Sequence, residues 1–216
     1  MKLDNYSLFI FDWDGTLMDS TGKIVACMQE TARVIGMPIP EENEVKGIIG
    51  LSMEKVIEDL FPTAPEDYRE TIRDTYRSQY LEINKTPSPL FDGVIDLLEL
   101  LKSRGKTVTV ATGKARVGLS RVLKSVQMED FFEHSICADE AQSKPAPEMV
   151  YELMKRTQFK PEETIVIGDS IHDIKMANNA AVDSIAVTSG ANSYKELEIH
   201  KPERIFSMVT ELTTFV

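Results

Sequence analysis

The sequence predicts an α/β protein with a Rossmann-like parallel sheet core, helices on both faces of the sheet, and an inserted α-helical cap domain. From residue 91 onward, short apolar runs alternate with segments of helical periodicity, which indicates repeated βαβ units. These continuous runs are rich in β-branched residues, as is typical of strands buried on both faces. Residues 21–85 carry helical patterns without a convincing strand. We therefore expect a core domain of residues 1–17 and 87–216 and a helical cap domain of residues 18–86.

The predicted strands and helices follow this pattern along the chain. Five strands are expected, at residues 8–11, 108–111, 135–138, 164–168 and 184–187. One helix is predicted to follow Asp92, which can cap it, and to end before Gly105. Its apolar stripe has the spacing i, i+3, i+4, i+7 and consists of Val94, Leu97, Leu98 and Leu101. A second apolar stripe, after Pro147, consists of Met149, Val150, Leu153 and Met154.

Length, charge and cysteine content restrict the function. A chain of 216 residues can bury a core without needing a disulfide or a metal. Its 24 basic and 35 acidic residues give a net charge of −11, which disfavours nucleic-acid and membrane partners but permits a local basic pocket for a small anion. No apolar run approaches the ~18 residues of a membrane span, and Leu8–Phe11 ends at Asp12 without a signal-peptide cleavage site. Cys27 and Cys137 match no metal-site spacing, so we expect reduced thiols in a cytoplasmic protein.

Two aspartates follow the first predicted strand, in the run Asp12-Trp13-Asp14-Gly15. Side chains two positions apart on an extended segment point the same way, so Asp12 and Asp14 are expected together at the carboxyl end of the strand. Ligands of open α/β sheets bind at that edge. Gly15 permits a tight turn and can present its N–H group to an anion. Two carboxylates this close repel each other unless a cation lies between them or one is protonated, and a solvated turn is the simpler alternative.

A second apolar strand ends in a similar way, in the run Gly168-Asp169-Ser170, with Asp173 four residues after the first acid. If a helix begins near Ser170, Asp173 lies in its first turn, close to the same edge of the sheet. Considered alone, these residues are equally consistent with an ordinary helix cap. Together with the first pair of aspartates they form an acidic oxygen cluster that suits Mg²⁺.

Two further segments bring groups that can bind an anion. The run Thr112-Gly113-Lys114 follows the second strand, so the Thr112 hydroxyl and the Gly113 N–H group are expected at the same edge, near the start of a helix. Lys144 lies in a loop with prolines at positions 145 and 147, which hold its ammonium group in one place. Taken alone, Lys144 fits a solvated surface lysine better.

Together, these segments resemble the four motifs of the haloacid dehalogenase-like hydrolase superfamily. Their order and spacing match over residues 12–173, and the resemblance covers essentially the whole chain. The helical insertion resembles the small cap of the phosphoglycolate phosphatase-like branch. The matching motifs are Asp12-x-Asp14-Gly15-Thr16-Leu17, Thr112, Lys144 in a Lys-Pro-Ala-Pro loop, and Gly168-Asp169-x-x-x-Asp173.

This resemblance implies a Mg²⁺-dependent phosphatase that acts on small phosphorylated metabolites, such as phosphoglycolate or sugar phosphates, through an aspartyl-phosphate intermediate. Asp12 would be the nucleophile, and Asp14 the general acid that protonates the leaving oxygen and then the base that activates water. The implied metal ligands are Asp12, the carbonyl of Asp14, Asp169 and, directly or through water, Asp173. The phosphate would be held by Gly15, Thr112, Gly113 and Lys144, of which Thr112 and Lys144 are also expected to be catalytic. The cap would close over the site and exclude bulk water.

Departures from related groups narrow the expected activity. The run Thr112-Gly113-Lys114 differs from the Thr-Asn-Lys more common in phosphoglycolate phosphatases, which weakens the assignment of that substrate. Ile24 stands where β-phosphoglucomutases usually carry a His, and Met53 stands where their cap loop carries an Arg, so hydrolysis is favoured over mutase chemistry. Asp14 argues against a haloacid dehalogenase, whose reaction has no leaving oxygen to protonate. A phosphomutase, a pyrophosphatase and a phosphonatase stay open as alternatives, the last requiring a cap lysine such as Lys23, Lys46 or Lys55.

A non-enzymatic alternative is a phosphorylation switch of the response-regulator type, but such modules are shorter and lack a helical insertion. His172 could reach the site, although a surface position suits it better. The sequence leaves open the substrate and whether the protein is a monomer or a homodimer. We expect the residues that select the substrate to be Gly50, Leu51, Ser52, Met53 and Lys55 in the cap and Arg116 beside the phosphate loop.

Overall fold

A six-stranded sheet forms the centre of the molecule, of which the computed structural model describes residues 3–215. The strands are β1 (Leu8–Phe11), β2 (Thr107–Thr112), β3 (His134–Cys137), β4 (Thr164–Gly168), β5 (Asp183–Val187) and β6 (Arg204–Phe206). All neighbouring strands are parallel, and their order is β3-β2-β1-β4-β5-β6. The chain thus builds the sheet outward from β1 in both directions, and the junction of β1 and β4 is the switch point where such sheets bind ligands. The predicted α/β, Rossmann-like fold class is confirmed.

Helices connect the strands and form the segment between β1 and β2. Within residues 3–215 they are α1 (Thr21–Ile35), α2 (Glu42–Lys46), α3 (Met53–Leu60), α4 (Tyr68–Ser78), α5 (Val94–Ser103), α6 (Arg116–Ser125), α7 (Glu148–Thr157), α8 (Ile171–Asn179) and α9 (Tyr194–Glu198). A π-helical turn (Gln79–Ile83) continues α4. Short 3-10 turns occupy Leu3–Asn5, Pro161–Glu163 and Val209–Thr214. No helix in this part of the chain has the length and apolarity needed to cross a bilayer.

Two details of the predicted elements were wrong. Strand β6 was not predicted, because it has three residues of which only Phe206 is buried, and therefore shows no apolar run. The cap of α5 is Gly93 rather than Asp92, and no side chain caps this helix. Gly93 has a φ of 79°, a conformation that glycine adopts at little cost. A glycine in a turn therefore stands at the N-cap position, where a polar residue was expected.

Strand β1 is buried on both faces, as its apolar run predicts. Phe9 and Phe11 pack into one hydrophobic cluster, together with Leu97 of α5. Leu8 and Ile10 point to the opposite face and pack with Met149 of α7. All four strand side chains are fully buried. Helices therefore cover both faces of the sheet, and the site at its carboxyl edge rests on a rigid support.

The helices between β1 and β2 share an apolar cluster of their own. It is formed by residues such as Met28 in α1, Val45 in α2, Ile57 in α3 and Ile72 in α4. The chain leaves and re-enters the sheet domain through two adjacent segments, because Asp19 N donates to Pro89 O at 2.8 Å and Phe91 N donates to Leu17 O at 3.0 Å. This arrangement supports our proposed division into a core of residues 1–17 and 87–216 and a cap of residues 18–86.

Candidate active site

The four motif segments meet at the carboxyl edge of the sheet. Phe11 at the end of β1 is paired with Val110 of β2 and with Ile167 of β4, so these three strands end side by side. Asp12 follows directly, and its N–H group donates to Ile167 O at 2.9 Å. Parallel pairing thus brings residues from distant parts of the chain to one place, as the sequence predicts.

Three buried aspartates form a compact acidic group. One carboxylate oxygen from each of Asp12, Asp169 and Asp173 lies within 4.8 Å of the others. Their side chains are almost fully buried, at 2%, 0% and 0% exposure respectively. Residues separated by more than 150 positions in the chain are therefore close enough for their oxygens to contact a single cation.

Lys144 provides the positive charge next to this group. Its Nζ atom donates to Asp12 Oδ1 at 2.7 Å and to Asp173 Oδ1 at 2.6 Å, and its side chain is fully buried. The reading of Lys144 as a solvated surface lysine was therefore wrong. Burial lowers the pKa of Lys144, but the charges of Asp12 and Asp173 raise it by more, so the ammonium group stays protonated.

Lys144 only partly offsets the cost of ionising the three buried acids. Burial raises the pKa of Asp12 well above its usual range, Lys144 opposes this rise, and Asp173 adds to it. Burial also raises the pKa of Asp169 to about 7, again with a contribution from Asp173. In addition, Asp12 Oδ2 is buried and has no hydrogen-bond partner among residues 3–215. Carboxylate oxygens in this arrangement fit a divalent cation that prefers oxygen ligands, because such an ion stabilises their charged forms.

Hydrogen bonds hold Asp169 and Asp173 in these positions. Asp169 accepts from Thr16 Oγ1 at 2.7 Å and from the N–H group of Ala191 at 2.7 Å. Asp173 Oδ2 accepts from Ser170 Oγ at 2.6 Å, whereas its Oδ1 atom accepts from Lys144. One oxygen of Asp173 thus belongs to the capping box of α8, and the other faces the acidic group. Its role as a metal ligand stays a prediction.

Glycines in two of the motifs make room for these carboxylates. A Cβ atom on Gly15 would lie 2.8 Å from Asp169 Cγ, and a Cβ atom on Gly168 would lie 2.5 Å from Asp173 Oδ2. Gly15 also has a φ of 78°, which larger residues rarely adopt. The glycines in Asp-x-Asp-Gly and in Gly-Asp therefore allow the acids to approach the main chain.

Asp14 lies beside the acidic group, and its carboxylate is not a member of it among the described residues. Its Oδ1 atom accepts from Ser20 Oγ at 2.6 Å and from Lys114 Nζ at 2.9 Å. Sequence reasoning assigned Lys114 no role, although the residue belongs to a motif that was singled out. Its position next to Thr112 and Gly113 indicated that Lys114 lies near the site. The sequence does not show which acid its long side chain reaches.

Thr112 and Gly113 lie where the cap approaches the core. Thr112 is fully buried, and its Oγ1 atom accepts from Lys114 N at 3.2 Å. A Cβ atom on Gly113 would lie 2.7 Å from the carbonyl oxygen of Leu51 in the cap. Glycine at position 113 therefore lets the loop before α3 pack directly against the phosphate-binding segment expected from the sequence.

Two hydrogen bonds join the cap to the core beside this contact. Ser52 N donates to Ser143 Oγ at 2.7 Å, next to Lys144. His172 Nε2 donates to the carbonyl oxygen of Gly47 at 2.8 Å. Burial lowers the pKa of His172, which favours the neutral ring. His172 lies half-buried at the start of α8, which agrees with the expected position at a helix start, and its side chain contacts the cap.

A cavity of about 500 Å³ lies between the cap and the core, with Asp14, Gly113 and Lys114 in its lining. Three of the predicted specificity residues line it, namely Gly50, Leu51 and Met53. The other three do not. Ser52 binds Ser143, Lys55 pairs with Asp59 at 3.0 Å on the surface, and Arg116 pairs with Glu140 at 2.6 Å.

Comparison with known proteins identifies the family. Residues 9–187 match the haloacid dehalogenase-like hydrolases. The chain belongs to this family. A Dickeya dadantii protein named Probable phosphatase IndB is 32% identical to it, and the match covers 95% of this chain and 91% of that protein. The phosphoglycolate phosphatase of Vibrio vulnificus (strain YJ016) is 26% identical, with coverage of 100% and 98%.

The fold of a solved relative agrees with this assignment. The crystal structure of a predicted phosphatase from Clostridium acetobutylicum superposes with a TM-score of 0.84 at 25% identity, and the match covers 97% of each chain. The predicted membership of the phosphoglycolate phosphatase-like branch is confirmed, and so is the prediction of an enzyme of the hydrolase class.

Proposed function

We propose that this protein is a Mg²⁺-dependent phosphatase that hydrolyses small phosphorylated metabolites through an aspartyl-phosphate formed on Asp12. The observation that carries the proposal is the asymmetry of the Asp12 carboxylate. Its Oδ1 atom is held by Lys144 at 2.7 Å, whereas its Oδ2 atom is buried and has no hydrogen-bond partner in the part of the chain that the structure describes. A buried oxygen that is left unpaired costs free energy, so Oδ2 is the atom that a substrate or a cation would engage. The phosphatase names of the sequence relatives support the same activity.

The first step is the transfer of the phosphoryl group to Asp12. Lys144, the Thr112 hydroxyl and the N–H group of Gly113 would bind the phosphoryl oxygens and offset their charge. The N–H group of Gly15, expected from the sequence to join them, instead donates to Met18 O at 2.8 Å. Asp12 Oδ2 attacks phosphorus, the bond to the ester oxygen breaks, and Asp14 protonates the departing alcohol. Asp14 then takes a proton from a water that attacks the aspartyl-phosphate, which releases inorganic phosphate and restores Asp12.

The metal would bind at the acidic group. Its ligands would be Asp12, the carbonyl of Asp14, Asp169 and, directly or through water, Asp173. When bound, Mg²⁺ would offset the negative charge that the carboxylates share with the phosphoryl group. The contacts of the cap with Ser143 and His172 support a closed arrangement that keeps bulk water from the intermediate.

Substitutions of the two motif aspartates test the mechanism. Asp12→Asn should reduce hydrolysis of p-nitrophenyl phosphate to background, and Asp14→Asn should lower kcat by about 100- to 10,000-fold. Asp19→Asn is the matched control, because it makes the same chemical change at an exposed residue of the same segment. Acid quenching of a turnover mixture should trap phosphate on the protein. Turnover by Asp12→Asn at the normal rate, with an unchanged circular dichroism spectrum, would contradict the proposal.

Metal binding has a test that does not depend on activity. Mg²⁺ should raise the melting temperature of the protein in proportion to its binding, and EDTA should reverse the increase. Asp169→Asn should abolish the increase, since it removes one of the three buried acids. An unchanged activity in EDTA would refute the metal assignment.

The alternatives of the same family are less well supported. Ile24 occupies the position of the mutase histidine and contributes an apolar side chain to the cavity, so no proton transfer is possible there. Of the lysines considered for a phosphonatase, Lys46 pairs with Glu42 at 2.6 Å and Lys55 pairs with Asp59, whereas Lys23 lines the cavity. Borohydride treatment with phosphonoacetaldehyde should therefore leave the protein unlabelled, and a label on Lys23 would favour a phosphonatase.

A further inference from the structure

The cavity between cap and core has a mainly apolar surface and reaches the proposed general acid. It has a volume of about 500 Å³, within the range of about 300–1,000 Å³ that is typical of sites for drug-sized ligands. Asp14 is in its lining, and Asp12 is not. Since Asp14 protonates the leaving oxygen, the cavity lies on the leaving-group side of the phosphorus and would hold the organic part of the substrate.

We infer that the substrate is a phosphate monoester with a large apolar or aromatic body, rather than a short polar ester such as phosphoglycolate. This inference rests on the proposed phosphatase function and narrows its substrate class. The exposed surface of the cavity is mainly apolar. Its apolar walls come from both domains and include Met18, Ile24, Met28, Ile49, Leu51 and Val122.

The lysine nearest to Asp14 in the cavity is already paired with it. Lys114 Nζ lies 2.9 Å from Asp14 Oδ1 and 5.1 Å from the centre of the Tyr80 ring. Lys23 Nζ lies 4.8 Å from the centre of the same ring. The carboxylate of phosphoglycolate would be placed against the apolar walls of the cavity. Burial of an ionised group under these conditions is costly, whereas an apolar body gains free energy from leaving water.

Most charged lining residues further from Asp14 are exposed. Arg77 and Arg121 are exposed, and Arg73, also exposed, pairs with Glu54 at 3.3 Å. These side chains can contact water while they border the cavity. A polar substituent on the outer part of the substrate would meet them there, so an amphipathic body is compatible with the site.

A series of straight-chain alkyl phosphates tests the inference, because the leaving oxygen keeps nearly the same basicity while the apolar body grows. We expect kcat/KM to rise about three- to fourfold for each added methylene, the effect of burying one methylene group, and so about 100-fold from ethyl to hexyl phosphate. Phosphoglycolate should be a poorer substrate than ethyl phosphate. p-Nitrophenyl phosphate is assayed in parallel as a test of phosphatase activity alone.

A variant that fills the cavity tests whether the apolar body of the substrate binds there. Gly118 lies in α6 and lines the cavity, and a Cβ atom there would meet only Lys114 Cβ, at 3.8 Å. Gly118→Leu should abolish most of the advantage of hexyl over ethyl phosphate while ethyl phosphate turnover is retained. Gly22→Leu is the matched control, because Gly22 is also helical, has no atom within 4 Å of its Cβ position and does not line the cavity.

The results of these assays distinguish a wrong substrate class from a wrong proposed function. A rise with chain length that Gly118→Leu removes and Gly22→Leu leaves intact supports the inference. A flat series, or a preference for phosphoglycolate, overturns it when p-nitrophenyl phosphate is still hydrolysed. A rise with chain length that Gly118→Leu does not change also overturns it, because the apolar body then lies elsewhere. Loss of hydrolysis of every ester would instead refute the proposed function, and the inference with it.

Discussion

The burial of Lys144 among carboxylates makes the substitution Lys144→Met a sensitive test of the site. The change keeps a long apolar side chain of similar volume and removes the ammonium group. Nζ donates to Asp12 at 2.7 Å and to Asp173 at 2.6 Å, and the exposure of the three side chains is 0–2%. The acidic group of Asp12, Asp169 and Asp173 would then contain no compensating charge from this lysine.

The expected loss of stability follows from the charge that is left behind. Removal of one partner of a buried ion pair destabilises a protein by about 3–5 kcal/mol, because the other charge stays buried without compensation. The pKa of Asp12, already well above its usual range, would rise further without Lys144. An acid whose pKa is higher in the folded than in the unfolded state binds more protons when folded, so the free energy of unfolding falls as pH rises. The deficit of the variant should therefore be larger at pH 8 than at pH 5.

Denaturation by urea in EDTA measures this loss without a contribution from a divalent cation. Lys155→Met is the matched control, because Lys155 is 78% exposed and its ion pair with Glu152 spans 3.8 Å. We expect the control to change the free energy of unfolding by less than about 0.5 kcal/mol. The prediction is refuted if Lys144→Met lowers the free energy of unfolding by less than about 1 kcal/mol, or if the decrease does not grow with pH. Either result would mean that Lys144 does not stabilise the buried charges of Asp12 and Asp173.

Three further predictions concern the cap contact, the predicted specificity residue and the thiols. Gly113→Ala should lower kcat/KM by at least about tenfold with little change in melting temperature. The reason is that a Cβ atom there would lie 2.7 Å from a carbonyl oxygen of the cap. Unchanged steady-state kinetics would contradict this prediction. Arg116→Met should leave kcat/KM unchanged and lower the free energy of unfolding by about 1 kcal/mol or less, since this half-exposed residue pairs with Glu140. The hydrogen bond from Arg116 lowers the pKa of Glu140, so this stabilisation is present above the unfolded pKa of about 4.3 and should disappear in urea titrations as pH falls below it. Burial raises the pKa of Cys27 to about 11 and that of Cys137 to about 12. Iodoacetamide at pH 8 should therefore label both thiols in urea and neither thiol in the folded protein. Mass spectrometry of the labelled protein measures this difference.

The fold was predictable because its strands are buried on both faces. Such strands must be continuously apolar, and this pattern is visible in a single sequence. Strand β6 (Arg204–Phe206) escaped prediction because it lies at the edge of the sheet and buries only one side chain. The position of the α5 cap was also missed, since a glycine with positive φ replaces the polar residue that the pattern favours.

The ion-pair partners of the lysines could not be predicted from the sequence. Lys144 is a buried partner of two aspartates, Lys114 is a partly buried partner of Asp14, and Lys55 pairs with acids on the surface. Nothing local distinguishes these residues, because the two acids that bind Lys144 lie 132 and 29 positions away in the chain. The same holds for Arg116, whose partner Glu140 lies 24 positions away.

The sequence alone determined that acids, a hydroxyl and a lysine collect at one edge of a parallel sheet, because strand pairing brings the residues after each strand to the same side. Only the tertiary structure decided which charges are paired and what surrounds the leaving group. Those features depend on how the cap packs against the core, and this packing joins residues whose separation in the chain carries no periodic signal. The apolar cavity beside Asp14 is the clearest case, since its walls come both from the helices between β1 and β2 and from residues that follow β2.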